Sequence, residues 1–294
     1  MTEIEFLNIA AGFIDSFKYH KAIEFADKAI SLNPHNDKGF ELKGIAYYRL
    51  KDTENCALWL NKAITINPKN ANALSNLALI HAYRNEFEKA KEIIKGAIEL
   101  KKTNHNYLYQ LAFIEYKMKN YTETLSICSQ ILSDYPTDSS TLSLRSQIYI
   151  KRNCFTEALE DLKKLGETRK RNSVVHNNIG FCYLKLGDLS KAKVNFQFAI
   201  ELEPGFAYAI DNLGHTYYLD GNYSKALSLI NESLSIDPSN SYGYKNRALV
   251  CIAADKMNEA KEDLLRAKEL GYSEDYGNEV DILLQKYFHL SNIK

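Results

Sequence analysis

The sequence predicts an all-α array of repeated helix pairs, and three observations point there. Proline and glycine are scarce, 5 and 13 in 294 residues, where averages are about 5% and 7%. The prolines, Pro34, Pro68, Pro136, Pro204 and Pro238, all stand at multiples of 34. Independent placement would share one phase about once in a million, so a period is the economical reading. Small side chains keep that phase. Twelve residues before each lattice point stand Ala22, Cys56, Ala90, Thr124, Ala158, Ala192, Ala226 and Ala260. Five before it stand Ala29, Ala63, Ala97, Ile131, Leu165, Ala199, Ser233 and Ala267.

Within a 34-residue unit, positions 4, 8 and 11 lie at i, i+4 and i+7, one face of a first helix, A. Positions 20, 24 and 27 repeat that spacing on a second helix, B. A polar turn such as Gly187-Asp188 or Gly221-Asn222 separates them. Small residues at 8 and 20, among them Gly44, Gly180 and Gly214, let A and B approach closely. The proline closes helix B, because it lacks an N–H and disfavours helix at the residue before it. A single pair cannot bury its apolar faces alone, so stacking on neighbours is required.

Residues 173–206 carry Ile179, Gly180, Tyr183, Ala192, Phe196, Ala199 and Pro204, with His176 departing at position 4. Residues 207–240 carry Leu213, Gly214, Tyr217, Ala226 and Pro238. This pattern resembles the tetratricopeptide repeat, TPR. The resemblance implies a right-handed α-α superhelix, a TPR solenoid. Eight units fill residues 3–274: 3–36, 37–70, 71–104, 105–138, 139–172, 173–206, 207–240 and 241–274. Residues 275–294 read as a capping helix, with Val280, Leu283, Leu284, Tyr287 and Phe288 at helical spacing.

At the front, Thr2 with Glu5 reads as a capping box. The first helix shows Ile4, Phe6, Leu7, Ile9, Phe13, Ile14 and Phe17, with little polar surface left. It is either a self-satisfied terminal pair or a surface for a partner or for self-association. Unit five is the least regular. It has Arg145 at position 7 and Lys170 in place of proline, and Gly166 is expected to end its second helix early. The unbroken phase favours a continuous stack over a hinge there.

Composition limits function. Lys+Arg equal Asp+Glu at 37 each, so no global charge argues for nucleic acid. No apolar run approaches the roughly 20 residues that span a bilayer, and a charged start argues against a secretory leader. Cys56, Cys128, Cys154, Cys182 and Cys251 lie far apart, without zinc or redox spacing. A reducing, cytoplasmic setting is expected. Cys56, Cys128 and Cys251 fall on packing positions, where a buried thiol acts as a small hydrophobe. Phosphate-loop and zinc-protease signatures are absent and the seven histidines form no ligand spacing. No enzyme activity, cofactor or metal is expected.

Function is then expected from the face that packing leaves free. Position 6 points about 160° away from position 8 on helix A, and the resemblance places that face along a concave groove. Along the chain it reads Asn8, Leu42, Asn76, Gln110, Leu144, Asn178, Asn212 and Asn246. An amide offers both donor and acceptor, so such a row can hold the backbone of an extended peptide. It resembles the asparagine ladder in the TPR arm of protein O-GlcNAc transferases. Only the ladder carries over, and the alternative is that these amides are solvated residues common at this position. Tyr109, Phe113, Phe181, Tyr208, His215 and Tyr242 sit beside it at positions 2, 5 or 9. They either recognise a peptide or pack on the next helix. Lys117, Lys151 and Lys185 recur at position 13, either to hold an acidic segment or merely solvated.

The carboxylate clamp by which some TPR co-chaperones grip a chaperone C-terminus is not expected. Position 5 offers only Lys245, and Leu249 stands where that clamp needs Asn. The expected function is a non-enzymatic scaffold binding a protein or peptide ligand in the groove. The alternative is a regulator or immunity-type protein that binds a folded partner through terminal or convex surfaces.

Overall fold

In the computed structural model the described residues are 1–273 and 277–290, and among them there is no strand. The expected capping segment 275–294 therefore falls partly outside them, at 275–276 and 291–294. The helices alternate as A and B members. They are α1 (Glu3–Asp15), α2 (Tyr19–Leu32), α3 (Asp37–Arg49), α4 (Thr53–Ile66), α5 (Ala71–Tyr83), α6 (Phe87–Leu100), α7 (His105–Lys117) and α8 (Tyr121–Asp134). They continue as α9 (Ser139–Lys151), α10 (Phe155–Thr168), α11 (Ser173–Lys185), α12 (Leu189–Leu202), α13 (Ala207–Leu219), α14 (Tyr223–Ile236), α15 (Ser241–Ala253), α16 (Met257–Glu269) and α17 (Glu279–Phe288). The class is all-α, a tetratricopeptide-type solenoid fold.

The lattice sets how each helix begins and ends. Phe17, Lys51, Asn85, Lys119, Asn153, Gly187, Gly221 and Asp255 all have φ between 57° and 82°. They are spaced by 34 and each follows the last turn of an A helix. A left-handed residue there lets the next N–H reach back, as in Asp52 N to Tyr47 O at 3.0 Å and Asp188 N to Tyr183 O at 2.9 Å. This is the helix stop of the Schellman type. Helices A mostly start on an Asn cap. The side chains of Asn36, Asn70, Asn104, Asn172 and Asn240 accept from the first-turn N–H groups. At the front the capping box forms: Thr2 N donates to Glu5 Oε2 at 2.7 Å, and Glu5 N donates to Thr2 Oγ1 at 3.3 Å.

By contacts the chain divides into two compact units, Met1–Leu144 and Arg145–Lys294. In the N-terminal unit each helix from α1 to α7 packs on its successor. Ala10, Ala26 and Leu42 form one core cluster, and Phe40, Cys56, Leu60, Ala63, Leu77 and Ile80 another. Phe6 and Phe13 both turn onto Phe25, with ring centroids 5.9 and 5.4 Å apart. Much of the apolar face of α1 is thus spent on α2.

The C-terminal unit repeats the scheme from α10 to α16, with α17 packed on α16. Small residues are required at position 8. A Cβ at Gly180 would lie 2.8 Å from the Phe196 ring, and one at Gly214 would lie 2.7 Å from Ile230 Cγ1. Val280 and Leu284 of α17 are buried and join Leu264, Ala267 and Tyr272 in the last core cluster. Cys56, Cys128 and Cys251 are buried as packing thiols, and burial pushes Cys56 up to about 12.

Two expectations for unit five need revision. Gly166 does not end α10, which runs on to Thr168. The stop comes at Arg169, whose N–H bonds Leu165 O. Arg145 is not a defect at an apolar position. It makes a two-point pair with Asp161, at 2.8 Å from Nε and 2.7 Å from Nη2. Arg247 and Asp263 repeat that pair, at the same two distances.

Candidate functional site

The free face of the A helices was expected to carry the chemistry, and in the C-terminal unit it lines a cleft of about 570 Å³. Its walls come from the end of α9 (Ile150, Lys151), the turn at Asn153, α11 (Phe181, Lys185) and α13 (Tyr208, Asn212, His215). α15 adds Tyr242 and Lys245, and Tyr272 and Glu279 close the far end. The A helices α11, α13 and α15 touch in succession. Positions 2, 6, 9 and 13 therefore converge from neighbouring repeats. Seven residues singled out from sequence meet here: Lys151, Phe181, Lys185, Tyr208, Asn212, His215 and Tyr242.

The cleft is aromatic and cationic. Tyr208 is half exposed, at 47%. His215 packs edge-on to Tyr242, with centroids 6.4 Å apart. Burial, with Lys245 and Lys185 adding to it, lowers the His215 imidazole to about 3, so the ring is neutral at ordinary pH. Lys185 Nζ lies 5.3 Å from the Phe181 ring centroid and Lys245 Nζ lies 4.3 Å from that of Tyr242. Lys245 is buried, 2% exposed, and burial lowers its ammonium against the opposing pull of Glu279 and Asp211. Its ion-pair partner is Glu279, at 3.3 Å.

The amide row also makes hydrogen bonds within the protein. Position 6 of one repeat bonds position 5 of the repeat before it. Asn212 Nδ2 donates to Asn177 Oδ1 at 3.0 Å, and Asn246 Nδ2 donates to Asp211 Oδ2 at 2.8 Å. In the N-terminal unit Gln110 Oε1 accepts from Ser75 Oγ at 2.8 Å. Asn178 Oδ1 accepts from Asn177 at 3.3 Å, and Asn76 Nδ2 bonds its own helix at Asn72 O, 2.9 Å. Asn212, Asn246 and Gln110 thus tie successive A helices together, while Asn178 and Asn76 bond within their own helices. Asn246 is fully buried and does not line the cleft, so its assignment to peptide contact is corrected: it is a brace between α13 and α15.

Beneath the cleft, Asp211 is buried and held up at about 7, burial outweighing the Asn246 hydrogen bond and the Lys245 charge. Asp211 Oδ1 and Asn246 Oδ1 are both buried without a partner.

The remaining candidates lie in the N-terminal unit. Phe113 and Lys117 line a smaller cleft of about 170 Å³ with Leu79, Tyr83 and Phe87. Tyr109 is partly buried on α7. Sequence reasoning missed Tyr272 and Glu279, and passed over Lys245 as an incomplete clamp. The signal for Tyr272 was its place on the proline lattice, where a bulky aromatic replaces the breaker. Among the described residues no group of His, Cys, Asp and Glu could hold a metal ion. No described helix is long and apolar enough to cross a membrane.

The family described as Tetratricopeptide repeat matches residues 173–206, and a second repeat family of that description matches 39–70 and 207–240. The family described as Anaphase-promoting complex, cyclosome, subunit 3 matches residues 55–131. No curated protein sequence matches. Among solved structures, a tetratricopeptide repeat protein from Parabacteroides merdae is similar at TM-score 0.65 and 17% identity, covering 83% of this chain and 96% of that one. The APC/C hetero-tetramer Cut9-Hcn1 is similar at 0.60 and 15%, covering 94% of this chain and 54% of that one. MamA 41-end from Desulfovibrio magneticus is similar at 0.55 and 17%, covering 58% and 96%. At these identities the likeness concerns the fold.

Proposed function

Because the chain is a tetratricopeptide-repeat protein, we propose that it is a non-enzymatic scaffold that holds an extended polypeptide in the cleft of its C-terminal unit. The repeat fold is that of a protein-interaction scaffold, and the narrower reading rests on one observation. Three consecutive A helices present Phe181, Tyr208, His215 and Tyr242 beside Asn212, Lys151 and Lys185 in one cleft. Aromatic side chains in a concave site supply contact area at low cost in lost rotamer freedom. The polar groups between them fix the direction of a bound backbone. The free thiols, four of them buried, support a reducing compartment such as the cytoplasm.

A second reading is favoured by a specific feature of the N-terminus. Ile4 is 66% exposed and Phe17 77% exposed, so a folded partner or a second copy could dock there. Partner capture separates the two. Phe181→Ala with Tyr208→Ala should abolish recovery of a polypeptide partner by the full chain, each contact contributing about tenfold. Ile4→Asp with Phe17→Asp should leave it unchanged. The opposite pattern overturns the cleft assignment in favour of the N-terminal surface.

A further inference from the structure

The closed end of the cleft has the layout of a carboxylate receptor already filled from within. Lys245 Nζ stands 3.3 Å from Glu279 Oε2, and Tyr272 Oη donates to that same oxygen at 2.9 Å. The two donors are buried: the Lys245 side chain is 3% exposed, and Tyr272 is 1% exposed. The acceptor is not, since the Glu279 side chain is 52% exposed. Glu279 is the first residue of α17 and follows Gly277, whose φ of 95° only glycine adopts readily. The donors are thus fixed in the core, while the carboxylate is half in water at a helix start.

A buried ammonium needs a counter-charge, and its partner here is supplied by a side chain that solvent can reach. The cleft around it carries three lysines, Lys151, Lys185 and Lys245, against one glutamate, Glu279. That excess suits an incoming anion. The resident group shows which anion fits: a carboxylate on a flexible side chain that solvent can reach.

We propose that an acidic side chain of the bound polypeptide takes the place of Glu279 on Lys245 and Tyr272, so that the cleft selects acidic segments and the chain's own glutamate occupies the receptor in their absence. This rests on the cleft being the polypeptide site.

The test pans a displayed library of random linear peptides on the full-length protein. It then measures one enriched peptide, and its counterpart with Asp and Glu replaced by Asn and Gln, by fluorescence anisotropy. Enrichment in Asp and Glu is expected, with the amide counterpart at least about tenfold weaker. Lys245→Met should erase the difference between the two peptides. Glu279→Gln should bind the acidic peptide about two- to fivefold tighter, the competition that a half-exposed ion pair can offer. The second variant keeps the test decisive if Lys245→Met fails to fold, which a thermal melt reports. Enriched peptides without acidic preference, or an acidic peptide whose affinity Glu279→Gln leaves unchanged, overturn the exchange while the cleft remains a peptide site. Failure to enrich any peptide overturns both.

Discussion

Replacing Asp211 by Asn should stabilise the protein above neutral pH and do little near pH 4. Asp211 is buried, with Oδ2 accepting from Asn246 Nδ2 and with both Oδ1 atoms of the pair unpartnered. An Asn at 211 can keep the acceptor for Asn246 Nδ2, and no carboxylate need then be buried. The magnitude follows from the carboxyl's shift, from 3.8 to about 7. At about 1.4 kcal/mol per unit, the buried charge costs up to about 4 kcal/mol. The sign is set by proton counting. Between 3.8 and about 7 the native state holds a proton that the unfolded chain has released, so stability falls as pH rises through that window. Below it both states are protonated and the cost vanishes. Urea unfolding of the full-length protein, followed by circular dichroism at pH 8 and near pH 4, reads the difference. The Asn variant should gain up to about 4 kcal/mol at pH 8 and under about 1 kcal/mol near pH 4. A gain that does not change with pH, or a loss at pH 8, would refute the assignment of Asp211 as a charge held against burial.

Four further outcomes test the packing and the backbone. Asp161→Asn leaves the Arg145 guanidinium without its two-point carboxylate and should cost about 3–5 kcal/mol by chemical denaturation, whereas Arg145→Leu with Asp161→Leu should recover most of that. Gly214→Ala should destabilise by about 1–3 kcal/mol, because its Cβ would sit 2.7 Å from Ile230 Cγ1 and 3.2 Å from Ala226 O. Gly12→Ala, in α1 with nothing within 4 Å, should instead raise the melting temperature, by about 0.5–1 kcal/mol of stability. Lys119→Gly, at a φ of 64°, should add up to about 1 kcal/mol by relieving a side chain held in the left-handed region.

The register of the fold was readable because proline and small residues are chemically distinctive, and they recur without insertion. Gly180 and Gly214 announce a close approach that the structure places against Phe196 and Ile230. The turn after each A helix was less readable. Gly187 and Gly221, and more weakly Asn85, Asn153 and Asp255, signal a positive φ, while Phe17, Lys51 and Lys119 adopt it because the helix stop demands it. The site was legible as a face and not as a set of roles. A helical wheel separates position 6 from the AB contact, but it does not show the preceding A helix, against which Asn212 and Asn246 are bonded. Gly166 reads as a stop, yet it stays helical with no close obstacle: the nearest atom to a Cβ there is Ile179 Cδ1 at 3.6 Å. Lys245 and Glu279 lie 34 residues apart with the whole of α16 between them, a pairing that no local pattern encodes.

The central claim is that the C-terminal cleft holds the partner. Hydrogen–deuterium exchange of the full-length protein with and without a captured polypeptide tests it most directly. Slowed exchange on α11, α13 and α15, with α1 unchanged, is the predicted result. Protection confined to α1 and its turn at Phe17, with α11 to α15 exchanging as before, would contradict it.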